Sequence, residues 1–169
     1  TDTVRENLSQ IAQLDGASLA DSTYLKRWKA NANGVDLNRN FDALWDSYAD
    51  PAGHPSSDHY KGTAPGCEIE SAALIQLTLQ QQFTRTISYH TQGDVIYWYF
   101  GQEGDLYDQT LSFANTIAAT TGYPLDADYQ SLDPAGYKDW AIQNQGIPSL
   151  TIEVGLQDSP VPAEQFATI

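Results

Sequence analysis

The sequence predicts an α/β fold in which helices pack against a mainly parallel or mixed sheet. Segments with the apolar pattern of strands alternate along the chain with segments of helical periodicity, and polar loops separate them. The chain has 169 residues, of which 41% are hydrophobic, so it can form one ordinary globular core. We therefore expect a single domain over residues 1–169.

In the first half of the chain, helices are predicted on both sides of a largely irregular region. Residues 3–14 carry apolar side chains at helical spacing up to the stop signal Asp15-Gly16. Residues 24–36 are predicted to be irregular, and residues 46–65 form a long polar loop of the kind that often borders a binding site. The second helix lies within residues 65–82, with one apolar face made of Ile69, Ala73, Leu74 and Leu77.

The second half of the chain carries the strands. Two are predicted around the polar break in "TISYHTQGDVIYW", the second of them over residues 95–99. A helix over residues 105–120 ends at Gly122, and a loop over residues 123–135 follows. A short helix in "AGYKDWAIQNQ" and a buried strand in "IPSLTIEVG" complete the alternation.

Charge and composition exclude several classes of partner and site. The chain has 22 acidic and 8 basic residues, a net charge of −14, and no cluster of Lys and Arg, so nucleic acid is not an expected partner. Its one cysteine, Cys67, excludes an internal disulfide and any multi-cysteine metal site. No apolar run approaches the ~20 residues that span a bilayer, so no transmembrane segment is expected.

Two residues of the second half have chemistry that suits a catalytic site. Glu153 interrupts an apolar strand, where a carboxylate is costly unless it is paired, binds a metal or acts as a base. At an exposed strand edge, it would be an ordinary surface residue. His90 ends a strand, where α/β enzymes place their chemistry, although a hydrogen-bonded core histidine fits the same pattern.

A third candidate lies in "GVDLNRNF", residues 34–41. Arg39 stands between Asn38 and Asn40, and a planar guanidinium flanked by amides suits two-pronged binding of a carboxylate. An arginine in a structural salt bridge is the alternative.

Four motifs in a fixed order resemble those of the zinc carboxypeptidases related to carboxypeptidase A. They are "WKANANGVDLNRNF", "YKGTAPGCEIESAAL", "SYHTQGDVIYW" and "GYKDWAIQNQGIPSLTIEVG". Within that family, the sequence is most similar to the bacterial γ-D-glutamyl-meso-diaminopimelate peptidases, which act on peptidoglycan. The resemblance implies a mixed, mostly parallel sheet with helices on both faces, of which this chain would hold the C-terminal part.

The resemblance also implies a zinc cofactor and roles for individual residues. His90 matches the last zinc ligand of the family, and Glu153 matches its catalytic glutamate. Asn38 and Arg39 match the residues that bind the carboxylate of the substrate. Lys29 stands where the family usually has the arginine that polarises the scissile carbonyl.

Two further substrate contacts follow from the same resemblance. Tyr129 is similar to the mobile tyrosine that covers bound substrate, in a loop that is longer here. Lys138 falls at the position that lines the side-chain pocket, where a lysine would suit a substrate with a second carboxylate, such as diaminopimelate.

The sequence departs from the family at its other two zinc ligands, which come from an H-x-x-E motif. The three histidines are followed at the third position by Ser57, Gly62 and Gly93, so the motif does not occur here. We expect the chain to be an N-terminally incomplete catalytic domain, with these ligands supplied from a preceding segment, and such a fragment could self-associate.

The sequence thus predicts a zinc-dependent peptidase that cleaves an amide bond beside a free carboxylate in peptidoglycan stem peptides. The alternatives are a catalytically inactive module that binds cell-wall peptides and an ordinary protein-directed metallocarboxypeptidase. The family resemblance favours a secreted or cell-wall-associated protein.

Overall fold

A computed structural model describes residues 2–130, 133–156 and 159–167. The chain forms two compact units, one of residues 1–81 with 134–136, and one of residues 82–133 with 137–169. The helices are α1 (Asp2–Leu14), α2 (Ser22–Lys26), α3 (Ile69–Gln81), α4 (Gly104–Thr121) and α5 (Tyr137–Gln145). The strands are β1 (Thr86–His90), β2 (Val95–Tyr97), β3 (Leu125–Asp126) and β4 (Ser149–Glu153).

The first unit contains α1, α2, α3 and the loops between them. The prediction of α1 is confirmed, and the helix buries Ile11 and Ala12. The irregular structure predicted from residue 24 was wrong at its start, since α2 covers Ser22–Lys26. The carboxylate of Asp21 caps this helix by accepting hydrogen bonds from the backbone N–H groups of Thr23 and Tyr24.

The helix predicted within residues 65–82 is confirmed as α3, but its predicted apolar face is largely exposed. Ile69 is 81% exposed and Leu77 is 45% exposed, whereas the buried side chains of α3 are Ser71 and Thr78. Thr78 satisfies its hydroxyl within the helix by donating to the carbonyl of Leu74 over 2.8 Å. The periodicity therefore identified the helix and not the side that is buried.

A buried asparagine organises the loops of the first unit. The side chain of Asn40 has no exposed surface, and its amide donates to the carbonyls of Lys61 and Ala64. Its side-chain oxygen accepts from the backbone of Glu68, and its backbone carbonyl accepts from Gly66 over 2.6 Å. These bonds hold the end of the long polar loop against the segment that follows Arg39.

The second unit is built on a four-stranded mixed sheet with the strand order β1-β4-β2-β3. The β1/β4 and β2/β3 pairs are parallel, and the β2/β4 pair is antiparallel. The predicted α/β fold with a mixed, mostly parallel sheet is therefore confirmed. The second strand of the pair around the polar break ends at Tyr97 and not at Tyr99, and β3 lies in a region predicted as loop.

The two faces of this sheet differ in chemistry. On one face, Ile96, Leu150 and Ile152 form a core with Phe113 and Ala114 of α4. The other face of β1 and β4 carries the polar residues that alternate with them, and Thr86 donates to Ser149 across the two strands over 2.7 Å. Because side chains alternate along a strand, His90 and Glu153 belong to this polar face.

The helices of the second unit follow the sequence closely. Gly122 ends α4 with a positive φ of 78°, as a glycine can do without strain, and its N–H donates to the carbonyl of Ala118. α5 packs against β1 and β4. Among the described residues, no helix is both long and apolar enough to cross a membrane.

Candidate functional site

In the second unit, the sheet brings His90 and Glu153 together. The two residues are direct partners in the parallel register of β1 and β4, and the carbonyl of His90 accepts a hydrogen bond from the backbone N–H of Val154 over 2.9 Å. Partners in register place their side chains on the same face of a sheet. The imidazole and the carboxylate are therefore neighbours at the carboxyl ends of two parallel strands.

A tyrosine and a second carboxylate lie on the same polar face. Tyr97 pairs with Thr151 of β4 on one side and with Asp126 of β3 on the other. Burial raises the pKa of the Tyr97 phenol, and the negative charges of Asp126 and Glu153 raise it further. Sequence reasoning missed this residue, since the pairing of β2 with β4 is not visible in the sequence.

The other predicted site residues of this unit, Tyr129 and Lys138, both contact the aromatic segment Tyr99-Phe100. The ring of Tyr129 packs edge-on against Tyr99 and Phe100, with centroid distances of 5.3 and 5.4 Å. The ammonium of Lys138 lies 5.2 Å from the centroid of the Phe100 ring and donates to the carbonyl of Tyr99. The structure thus places both residues around Tyr99 and Phe100.

Lys138 is itself buried in an ion pair with its chain neighbour. Its Nζ lies 2.6 Å from Oδ1 of Asp139, and both side chains are buried. A buried charge needs such a partner, because desolvation would otherwise cost several kcal/mol. The pair fixes the ammonium at the start of α5.

In the first unit, Lys29 lies between two carboxylates. Its Nζ is 3.2 Å from Asp36 and 3.0 Å from Asp58. Burial lowers the pKa of Lys29, but the charges and hydrogen bonds of these two carboxylates outweigh it, so the pKa is raised overall. The lysine is therefore a fixed cation at this site.

Asn38 and Arg39 lie on a short 3₁₀ turn, Leu37–Arg39, that is capped by the same aspartate. The carboxylate of Asp36 accepts from the backbone N–H of Asn38 over 3.1 Å. Burial raises the pKa of Asp36, but Lys29 and then Arg39 lower it by more, and the net shift is downward. Arg39 donates to the carbonyl of Asn38, which bends its guanidinium back over the turn.

These contacts close into what we call the polar ring, made of Lys29, Asp36, Arg39, Tyr48, Asp58 and His59. Arg39 lies over the ring of Tyr48 at 5.5 Å, and the hydroxyl of Tyr48 lies 3.1 Å from Nδ1 of His59. Nε2 of His59 lies 3.4 Å from Asp58, and Asp58 lies 3.0 Å from Lys29, which closes the ring. The sequence signal for Asp36 was its place two residues before Asn38, the spacing of a capping aspartate.

Part of the polar ring has the composition of a metal site. Ligand atoms of Asp36, Asp58 and His59 lie within 4.8 Å of one another, the one such group of three found in the described part of the chain. The ammonium of Lys29 already lies at hydrogen-bonding distance from both carboxylates. It supplies the positive charge that a metal ion would bring.

A comparison with known protein families gives one match that covers nearly the whole chain. The model of the zinc carboxypeptidases matches residues 10–169. The chain belongs to the zinc carboxypeptidase family.

The family assignment agrees with a named relative. The chain is 38% identical over 143 residues to γ-D-glutamyl-L-diamino acid endopeptidase 1 of Lysinibacillus sphaericus. The aligned region covers 84% of this chain and 35% of the relative. The chain thus spans about a third of the length of this curated relative.

Solved structures support the fold. Carboxypeptidase A from Helicoverpa armigera superposes with a TM-score of 0.60 at 19% identity, over 74% of this chain and 34% of its own. The murein-tripeptide amidase MpaA from Escherichia coli O157 gives a TM-score of 0.51 at 26% identity, over 80% and 54% of the two chains. The fold is that of the zinc carboxypeptidases.

Family membership implies zinc, and the described residues offer an incomplete site for it. A catalytic zinc is held by three protein ligands, typically with an imidazole among them. His90 supplies an imidazole at a strand end, but within the described ranges it is not part of a group of three ligand-type side chains. Around His90, the described residues do not fit a complete zinc site.

Proposed function

We propose that this chain is part of a zinc-dependent peptidase that hydrolyses γ-D-glutamyl-diaminopimelate bonds in peptidoglycan stem peptides. One observation carries the proposal: His90 and Glu153 are paired on the polar face of a sheet whose fold is that of the zinc carboxypeptidases. A relative that shares 38% of the aligned residues is named as a γ-D-glutamyl-L-diamino acid endopeptidase. Zinc, with His90 as one ligand, is the proposed cofactor.

Glu153 is the proposed general base. Its carboxylate takes a proton from the attacking water and returns it to the leaving amine, the usual pair of roles for one carboxylate in amide hydrolysis. It stands at the end of β4 next to Val95 of β2 on one side and His90 of β1 on the other. Two neighbouring strands therefore fix its backbone.

The basic residues of the first unit suit the anionic parts of such a substrate. Arg39 and Asn38 are the proposed carboxylate-binding pair, and Lys29 is the proposed donor to the developing oxyanion. An ammonium has three donors, and Asp36 and Asp58 receive two of them. Since the Lys29 side chain is 49% exposed, its third donor can reach a ligand.

The remaining roles concern the part of the substrate beyond the scissile bond. Tyr129 and Lys138 are the proposed contacts to the diaminopimelate side chain, and both lie around the Tyr99-Phe100 segment. Because peptidoglycan is the proposed substrate, we place the protein outside the cell membrane, secreted or attached to the wall.

The test compares two substrates on the zinc-loaded full-length protein of which this chain is the proposed part. We expect hydrolysis of γ-D-glutamyl-meso-diaminopimelate to exceed that of a dipeptide with a C-terminal aromatic residue, measured as kcat/KM from the release of free diaminopimelate or free aromatic amino acid. The reverse preference would assign the protein to ordinary protein-directed carboxypeptidases and refute the proposed substrate.

A second candidate function is supported by the incomplete ligand set around His90. A module with the Arg39 pair and no bound zinc would bind the same stem peptides without cleaving them. Calorimetric binding of γ-D-glutamyl-meso-diaminopimelate to the full-length protein in the presence of zinc, without any release of diaminopimelate, would favour this binding module over the peptidase.

A further inference from the structure

One buried carboxylate in the first unit contacts both groups of proposed anion-binding residues. Asp36 is only 2% exposed. Its Oδ2 lies 3.2 Å from Nζ of Lys29, and its Oδ1 accepts from the backbone N–H of Asn38 over 3.1 Å. Each of its two oxygens thus serves a different part of the proposed site.

The backbone around Asp36 is also fixed. Its N–H donates to the carbonyl of Tyr60 over 2.8 Å, and its extended conformation lets its side chain cap the turn Leu37–Arg39. A carboxylate held at its backbone and at both oxygens has little freedom to rotate. It can therefore set the distance between the Lys29 ammonium and the Asn38–Arg39 turn.

Asp58 has a different place in the polar ring. Its side chain is 35% exposed, and its contacts run to Lys29 and His59 rather than to the turn. Replacing Asp58 should disturb Lys29 and His59 but leave the cap of the turn in place, whereas replacing Asp36 should disturb Lys29 and the turn together. This difference provides an internal comparison.

We propose that Asp36 is a positioning residue that holds Lys29 and the Asn38–Arg39 turn in one geometry, so that an anionic substrate meets both at once. The inference rests on the proposed function, because it takes Lys29 and Arg39 as the groups that contact substrate. Asp36 itself acts through those groups.

The direction in which one substitution changes the affinity for a carboxylate separates positioning from simple charge balance. Asp36→Asn keeps the shape of the side chain and an oxygen that can accept from Asn38, but it removes the charge that faces Lys29. If Asp36 only neutralised Lys29 and Arg39, its loss would leave the site more positive and strengthen binding of a carboxylate. If Asp36 positions them, its loss weakens that binding.

The experiment measures the dissociation constants of two ligands by calorimetry on the zinc-supplemented protein. The ligands are a ketomethylene analogue of γ-D-glutamyl-meso-diaminopimelate, which cannot be hydrolysed, and the same analogue with its α-carboxylates converted to amides. We expect the wild-type protein to prefer the carboxylate form by about tenfold or more, and Asp36→Asn to lose most of that preference. Asp42→Asn, an exposed aspartate outside the polar ring, is the matched control and should keep the preference.

Each outcome has a distinct meaning. A preference that rises or stays the same in Asp36→Asn overturns the positioning role and leaves the proposed function intact. Equal binding of both ligands by the wild-type protein overturns the proposed function and this inference with it. If Asp36→Asn does not fold, Asp36→Glu replaces it: this variant keeps the charge but displaces the carboxylate by one methylene, so a reduced preference is expected, and an unchanged or increased preference refutes the proposal.

Discussion

His90 and Glu153 face each other across the parallel ladder of β1 and β4, and no third strand lies between them. Both residues end their strands, where the ladder stops and the chain turns away from the sheet. Two titratable side chains at such a place can act on one ligand, because neighbouring strands lie only ~5 Å apart. The first two predictions follow from this pair.

Glu153→Gln should leave the fold unchanged and reduce hydrolysis of the stem-peptide substrate. A glutamine keeps the size of the side chain but cannot take a proton, and loss of a general base lowers kcat by about 10²- to 10⁴-fold. The measurement is kcat on the zinc-loaded full-length peptidase of which this chain is the proposed part, with Glu103→Gln, an exposed residue before α4, as the control. Equal loss in both variants would show that Glu153 is not the base.

The zinc content of the 169-residue chain should stay below one ion per chain after dialysis against buffer with trace zinc. One imidazole does not hold zinc tightly, because affinity depends on three or four ligands placed together. His90→Ala should lower the residual content, and His54→Ala should not. Stoichiometric zinc that survives His90→Ala would instead identify the group Asp36, Asp58 and His59 as a metal site.

Arg39→Lys should weaken binding of the carboxylate ligand by about tenfold while the charge is conserved. A lysine cannot present two parallel donors to a carboxylate, so the loss measures the planar fork of the guanidinium. The effect should appear in KM more than in kcat. Arg27→Lys, on an exposed residue at the end of α2, should change neither constant.

The stability of the first unit should fall in alkaline solution through Tyr24. Burial and the hydrogen bond to Asp15 over 2.7 Å raise the pKa of the Tyr24 phenol from 10.0 to about 12. Below pH 10 the phenol is protonated in both states and the contribution is complete. As the pH rises toward about 12, the unfolded chain ionises first and the contribution is lost.

The free energy of unfolding of the Tyr24→Phe variant should therefore depend less on pH across that interval. The measurement is denaturant unfolding at one pH below 10 and one close to 12. Tyr89→Phe, at an exposed position on β1, is the control and should keep the slope of the wild-type protein. An identical slope in all three proteins would contradict the assignment.

Lys138→Met should destabilise the second unit by roughly 3–5 kcal/mol, because it leaves the carboxylate of Asp139 buried without its cation. The double variant Lys138→Met with Asp139→Asn should recover part of that loss, since neither charge then remains. Denaturant unfolding measures both, with Lys26→Met on exposed Lys26 as the control. A double variant less stable than the single one would show that Asp139 has the larger structural role.

Much of the fold could be predicted because it depends on local signals. The helix that ends at Gly122, the buried strand around Leu150 and the helix α1 each have a periodicity and a stop residue in the sequence. α2 and β3 were missed because they are only five and two residues long, too short for any periodicity to show.

The candidate site was predictable residue by residue but not as a network. The resemblance pointed to Lys29, yet its partner Asp58 lies in the polar loop, and nothing in that loop identifies which carboxylate meets an ammonium 29 residues earlier. Tyr97 was likewise hidden, because its proximity to Glu153 depends on antiparallel pairing of β2 with β4. Side-chain networks depend on long-range register, which one sequence does not contain.

The pairing of β1 with β4 also affects how the second unit folds. Its partners are separated by 63 residues along the chain, as the bond between Thr86 and Ser149 shows. Pairing at such long range has an entropic cost, because a loop of that length must close, and long-range contacts slow folding relative to local ones. During synthesis on a ribosome, His90 would leave the exit tunnel before its partner Glu153, and the two could pair only after β4 had also left it. The proposed catalytic pair therefore depends on the closure of a 63-residue loop as well as on the two strands that carry it.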